Sequence, residues 1–169
     1  MTVAEAITKS GITPSASYTG IETADDFVFA IQTESTQSKE TDWVVCADHV
    51  KEHSGALNAT TNSDTFIRTG PTDTKSAVQR TLSVNGHRCV GDAFQDFLLS
   101  RKCVCGIGSD VIVPYSYVSL RTGKGEKGSF SLVVTSDVGG AAGSPATFAC
   151  DVKGIGIPAE FNYITAAAG

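Results

Sequence analysis

No stretch of this 169-residue chain approaches the roughly 20 consecutive apolar residues that a membrane-spanning helix needs. Met1–Ser10 lacks a basic segment followed by an apolar core, so the sequence predicts a soluble protein that does not use the usual export signal. Basic charge is scarce: 13 Lys and Arg stand against 18 Asp and Glu, a formal net charge of −5. Tight binding of nucleic acid is not expected, because affinity for phosphate comes mainly from Lys and Arg. Cysteine spacing offers no disulfide framework. Cys46, Cys89, Cys103, Cys105 and Cys150 are odd in number, and Cys103-x-Cys105 has no second pair and no nearby His to complete a zinc site. They read as free thiols acting as small apolar residues in a reducing compartment.

What is present favours β structure. The length suits one domain with its own core, and 17 glycines with abundant Ser and Thr point to many short connections. Alternation is clearest in Gly128–Gly156. Phe130, Leu132 and Val134 share one face, and Phe148, Cys150 and Val152 repeat the pattern, which predicts two strands with one buried face each. The segment between them, Asp137–Pro145, is small-residue turn chemistry. Further strands are expected at Phe27–Thr33, Asp42–Val50, Gly55–Thr61 with a turn at His53–Gly55, Ala77–Val84 and Val111–Leu120. Cys103–Cys105 is a candidate start for another. Pro114 cannot donate to a ladder and predicts an edge or a bulge. Arg80 falls in an otherwise apolar row and needs an edge position or an acidic partner.

One helix is expected over Val90–Arg101, where Phe94, Phe97, Leu98 and Arg101 recur at three- and four-residue spacing. Residues 1–24 read as an arm with a short helix near Val3–Lys9, and residues 157–169 as a second arm. Asn62–Ser76 reads as a long polar loop from which Phe66, Ile67 and Arg68 project as an anchor.

Candidate chemistry is weak. Gly140-Ala141-Ala142-Gly143-Ser144-Pro145 resembles the nucleophile turn of β-barrel viral serine proteases, and Asp48-His49 follows an apolar stretch. Ala142 stands where the nucleophile belongs, and Ser144 comes two places late, so no catalytic residue is expected. His53 and His87 read as exposed turn residues, and Lys124–Lys127 as a solvated hairpin tip without phosphate-loop spacing. Asp25-Asp26 is a second acidic pair without a partner in sequence. Asp92 and Asp96 share a helical face but read as solvated acids. No metal ligand set and no cofactor is expected, and the chain does not read as an enzyme.

Two segments carry a resemblance to a known family. One runs from Ile67-Arg68-Thr69-Gly70 through Gln79–Arg88 to Gly91-Asp92-Ala93-Phe94-Gln95-Asp96-Phe97. The other is Thr122–Gly128 with the following hairpin, its Gly-Gly-Ala-Ala-Gly connection and Gly154-x-Gly156. Over Phe66–Gly156 the chain resembles the major tail (tail tube) proteins of long-tailed bacteriophages. The resemblance implies a mainly β fold: an antiparallel two-sheet β-sandwich or flattened barrel with one flanking helix and extended arms. It also implies homo-oligomeric, hexameric rings stacked into a virion tail tube, assembled in the host cytoplasm, with tape-measure and terminator proteins as further partners and no membrane.

By that resemblance 62–76 is the loop between subunits, with Phe66, Ile67, Arg68, Asp73 and Lys75 as contact residues, and 90–101 is the flanking helix. DNA would pass without specific binding, since an acidic lumen repels phosphate; Thr147, Asp151 and Lys153, opposite the buried row, are candidate lumen-facing residues. The competing reading is a monomeric β-sandwich binding module, adhesin or carbohydrate-binding, for which Tyr115, Tyr117 and Tyr163 would have to form an aromatic platform.

Overall fold

A computed structural model describes residues 1–164. Among these, seven strands form one antiparallel sheet: β1 (Phe27–Ile31), β2 (Val44–Val45), β3 (Val50–Phe66), β4 (Gly70–His87), β5 (Ile112–Ser119), β6 (Lys124–Gly139) and β7 (Thr147–Asn162). The order across the sheet is β2-β1-β5-β6-β7-β4-β3. Three short helices join them: α1 (Val3–Ser10), α2 (Ala93–Leu98) and α3 (Arg101–Cys105). The mainly β, antiparallel expectation holds, with one continuous sheet in place of two.

That sheet is strongly curled. Four inter-strand spacings of about 4.8 Å would hold β3 and β5 roughly 19 Å apart if it were flat. Instead the His53 ring on β3 lies 5.9 Å from the Tyr117 ring on β5. The concave side encloses the main core, where Phe29, Tyr115, Phe130, Leu132, Phe148, Cys150, Val152, Leu82 and Val84 are buried. Helices α2 and α3 add Phe94, Leu98 and Cys103 to it. The barrel stays open at the seam between β1 and β3, because β2 pairs with only Ala30 and Ile31 of β1.

A second cluster sits on the convex side of β1 and β5. Val3 and Ala6 of α1 pack with Val28, Ala30, Trp43, Val45, Val118, Leu120 and Phe161. Helix α1 starts with a capping box in which Thr2 and Glu5 satisfy each other's backbone N–H, and ends at Gly11 with φ 66°. The residue 1–24 segment is therefore docked, not free: Val3 N donates to Trp43 O at 3.1 Å, and Val45 N to Met1 O at 2.9 Å. Full burial of a side chain such as Val3 is worth about 1.5–3 kcal/mol.

Several expectations are corrected. Asn62–Ser76 is not a loop; apart from the turn at 67–69 it is strand. No turn falls at His53–Gly55, which lies inside β3, and Asp42–Val50 yields only the two-residue β2. The expected helix over 90–101 is two helices, because Asp92 caps α2 and Ser100, in an extended conformation, caps α3. Cys103–Cys105 is helical, and Arg121–Lys127 is mostly the start of β6. The expected arm over 157–169 is strand as far as Asn162, and residues 165–169 lie outside the described residues.

Strand β5 is central, not an edge, and Pro114 is accommodated by position. Gln32 N donates to Pro114 O at 3.0 Å just past the end of β1. The donor that proline lacks would thus have faced a rung that is no longer part of the ladder.

Candidate assembly surface

The most exposed feature is built by β3 and β4. They pair from Val50↔Gly86 to Phe66↔Gly70, but β4 pairs with β7 only over Thr81–His87. From Leu57 and Arg80 outward the two strands therefore project as a ribbon without a third strand. Ten residues per strand at about 3.3 Å give an overhang of roughly 30 Å. Such a ribbon is marginal alone, and cross-strand contacts support it: Asn58 Nδ2 donates to Thr81 Oγ1 at 3.2 Å and Ser76 Oγ to Thr60 O at 3.1 Å. Ser63 Oγ also donates to the Asp73 carboxylate.

The candidate contact residues gather at the far end of this ribbon. Phe66 closes β3, Ile67 and Arg68 form the turn, and Gly70 supplies the left-handed residue with φ 74°. Asp73 and Lys75 lie on β4, exposed. Ile67 is 104% exposed and Phe66 54%, an apolar tip on an otherwise polar ribbon.

The root of the ribbon is pinned by Arg80, the residue after which β4 joins β7. Its Nε lies 2.7 Å from Glu126 Oε1 on β6, and its guanidinium stands 5.4 Å from the Tyr117 ring centre. Tyr115 OH donates to the same Glu126 oxygen at 3.1 Å. The expectation of an acidic partner for Arg80 is thereby met. Burial, and then the Glu126 carboxylate, push the Tyr115 hydroxyl well above its ordinary pKa; Tyr117 is also raised, chiefly by burial. Two glycines make room for Arg80. A Cβ on Gly55 would lie 3.1 Å from its guanidinium, and one on Gly154 would lie 2.9 Å from its carbonyl oxygen. His53 and Glu126, read as exposed turn residues, belong to strands folded into this half-buried cluster.

Thr147, Asp151 and Lys153 lie on the convex face of β7, with Thr147 and Lys153 exposed. Ser83 Oγ on β4 donates to Asp151 Oδ1 at 2.7 Å. The three tyrosines form no common platform. Tyr115 is in the core, Tyr117 stacks on Phe27 at 5.5 Å, and Tyr163 packs beside the second cluster.

Among the described residues the protease-like turn and Asp48-His49 are not joined. Ala142 and Ser144 are exposed in the connection between β6 and β7. His49 has φ 57° and its carbonyl accepts from His87 N at 2.9 Å; among the described residues no hydrogen bond joins it to Ser144. The acidic pairs are committed elsewhere. Asp92 Oδ1 accepts from Gln95 N at 2.9 Å, Asp96 pairs with Arg88, and buried Asp26 pairs with Arg121 at 2.8 Å. Among the described residues no cluster of His, Cys, Asp or Glu could hold a metal, and no helix is long and apolar enough to cross a membrane.

Fold and surface together define a mainly β protein whose two longest paired strands project as an exposed ribbon. No known family and no curated protein matches the sequence. Solved structures do match the fold. One is a chain from the virion of a native gene transfer agent (GTA) particle, at TM-score 0.57 and 14% identity, covering 83% of this chain and 98% of that one. Another is from the tail of an empty GTA particle with C6 symmetry, at TM-score 0.59 and 16% identity, covering 84% of this chain and 99% of that one. At these identities the likeness is one of fold.

Proposed function

We propose that this chain is a structural subunit of a phage-type tail. Copies join side by side into six-membered rings, and the rings stack into a tube through which DNA leaves. The observation that carries this reading is the ribbon. It holds an apolar tip roughly 30 Å beyond the last rung that β4 shares with β7, where it adds nothing to the subunit's own core. Exposed strand edges and apolar tips are hazards for a monomer but are the means of joining for an assembly. The likeness to a chain of a C6-symmetric GTA tail supports the ring number. A heterologous contact closes into such a ring when its rotation fits.

In this reading Phe66, Ile67, Arg68, Asp73 and Lys75 make contacts between copies, and Thr147, Asp151 and Lys153 face the channel. Six copies at −5 each carry about −30, a surplus that lets DNA slide past without being held. The other partners of such a tube are the tail proteins that fill and cap it. A monomeric glycan-binding module is disfavoured, because Tyr115, Tyr117 and Tyr163 are turned into packing.

Size-exclusion chromatography with negative-stain microscopy tests the proposal. Rings or tubes are expected. A 17.6 kDa species that stays monomeric at every concentration and binds glycans would overturn it.

A further inference from the structure

The open seam of the sheet leaves a groove of about 660 Å³ between α1, the β1 edge and the start of β3. Phe27, Val45, Ala47 and Val50 give it apolar walls. Asp25, Asp48 and Glu52 stand around it beside Lys9, Lys51 and Met1, so carboxylates are available at its rim. No element of the described chain fills it. At the other end of β3 the opposite features are exposed: Phe66 and Ile67 are apolar, and Arg68 is the cation of the tip.

The two features cannot meet within one copy. His53 borders the groove and Phe66 ends the ribbon, thirteen residues along a strand paired with β4 with one register shift between Thr60 and Thr61. At about 3.3 Å per residue they are held roughly 40 Å apart. Each copy therefore carries the groove and the tip at opposite ends of one long strand. Matching them would link two copies head to tail, which is a heterologous contact.

We propose that the seam groove is the receptor for the ribbon tip, Phe66-Ile67-Arg68, of a second copy. The apolar pair enters between Phe27, Val45 and Val50, while Arg68 stays at the rim beside Asp25, Asp48 or Glu52. This rests on the assembly reading above and adds to it the contact that joins successive rings, whose separation cannot exceed the reach of roughly 40 Å. The alternative socket is the fork where β4 leaves β7, a cavity of about 510 Å³ lined by Lys75–Gln79, Gly154, Gly156 and Ile157. It is less suited, because its one charged side chain, Lys75, repels Arg68.

Photo-crosslinking of the full chain, with p-benzoylphenylalanine replacing Ile67, tests this. Mass spectrometry should find the tip joined to peptides containing Phe27 or Val45–His53 of another copy. Ala47→Arg, at an exposed position in the groove, should lower that yield by about tenfold, as expected for loss of one anchoring contact, with the circular dichroism spectrum unchanged. Glu52→Lys should lower it less, and salt should weaken the unmodified contact. Rings or tubes whose tips crosslink to the fork, crosslink nowhere, or ignore Ala47→Arg would overturn the groove assignment and leave the assembly reading intact. A chain that neither assembles nor crosslinks between copies at any concentration would overturn both.

Discussion

The half of the sheet made of β2, β1 and β5 is covered on both faces, by the main core on one side and by α1 with the second cluster on the other. The half made of β6, β7, β4 and β3 is covered on one. Its convex face carries Ser83, Val133 and Lys153 in the open, and its last two strands outrun the rest of the sheet. A domain that needed only to be stable would not leave two of its longest strands largely unsupported. In the proposed assembly the first half supplies stability and the second the contacts with other copies. The contrast also makes the two halves respond differently to substitution.

The largest loss of stability belongs to the covered half. Phe29 meets Phe94, Tyr115 and Phe130 at ring separations of 5.9, 6.3 and 5.7 Å. Phe29→Ala should cost about 3–5 kcal/mol, measured by urea denaturation, because the cavity it leaves lies among rings that cannot collapse together. Val133→Ala, on the open face, should change stability by less than about 0.5 kcal/mol. Equal costs at the two sites would dissolve the distinction between the halves.

An intermediate effect is expected where the halves meet. Arg80→Ala removes the partner of Glu126 and the cation over Tyr117. Both carboxylate and guanidinium are mostly shielded, so the loss should be about 1–3 kcal/mol, more than for a surface ion pair. Arg80→Lys should recover only part of it, since a point charge cannot both bond Glu126 and lie flat over the ring. If Arg80→Ala is neutral, the ribbon is not anchored through this pair.

Acid should act on the covered half through Asp26. Its carboxylate accepts from Thr23 N at 2.8 Å and from Arg121 Nε at 2.8 Å. The Thr23 backbone bond above all, opposed by burial and assisted by Arg121, holds its pKa below the ordinary value. The unfolded chain takes up this proton near pH 3.9, before the folded one does. The stabilising contribution is thus present above about pH 4 and fades as pH falls through the lower folded value. Asp26→Asn should unfold with a shallower dependence on pH below 4 than the parent chain, whatever its stability at neutral pH.

What could be read from the residues follows the same division. Phe130, Leu132 and Val134, like Phe148, Cys150 and Val152, announce themselves because one buried face imposes alternation on the sequence. The ribbon has no buried face, so its outer part, Asn62–Ser76, carries no alternation and reads as loop. Its one signal is compositional: Thr60, Thr61, Thr65, Thr72 and Thr74 are β-branched residues suited to a pleated surface. The need of Arg80 for an acid was legible, but Glu126 lies 46 residues away and only the curl of the sheet selects it. Ser100 looked like one more helical residue, whereas its extended backbone starts a new helix. Which face lines a channel depends on how copies are arranged, and a single chain's pattern holds no record of that.

The smallest effect on stability should come from the most conspicuous feature. Replacing Asp64–Lys75 by an Asn-Gly turn removes Phe66, Ile67 and the outer ribbon, none of which contacts either core cluster. The shortened strands retain the Leu57↔Arg80 to Thr60↔Ala77 pairs, and an Asn-Gly turn matches their twist. Melting temperature should move by no more than a few degrees, corresponding to about 0.5 kcal/mol. Stacking should nonetheless be lost, leaving single rings or monomers under the microscope where the full chain gives longer assemblies. Loss of the folded circular dichroism signal would mean that the ribbon belongs to the subunit's own fold. Tubes that persist without it would mean that the rings are held together elsewhere, and the division of labour between the two halves of the sheet would have to be redrawn.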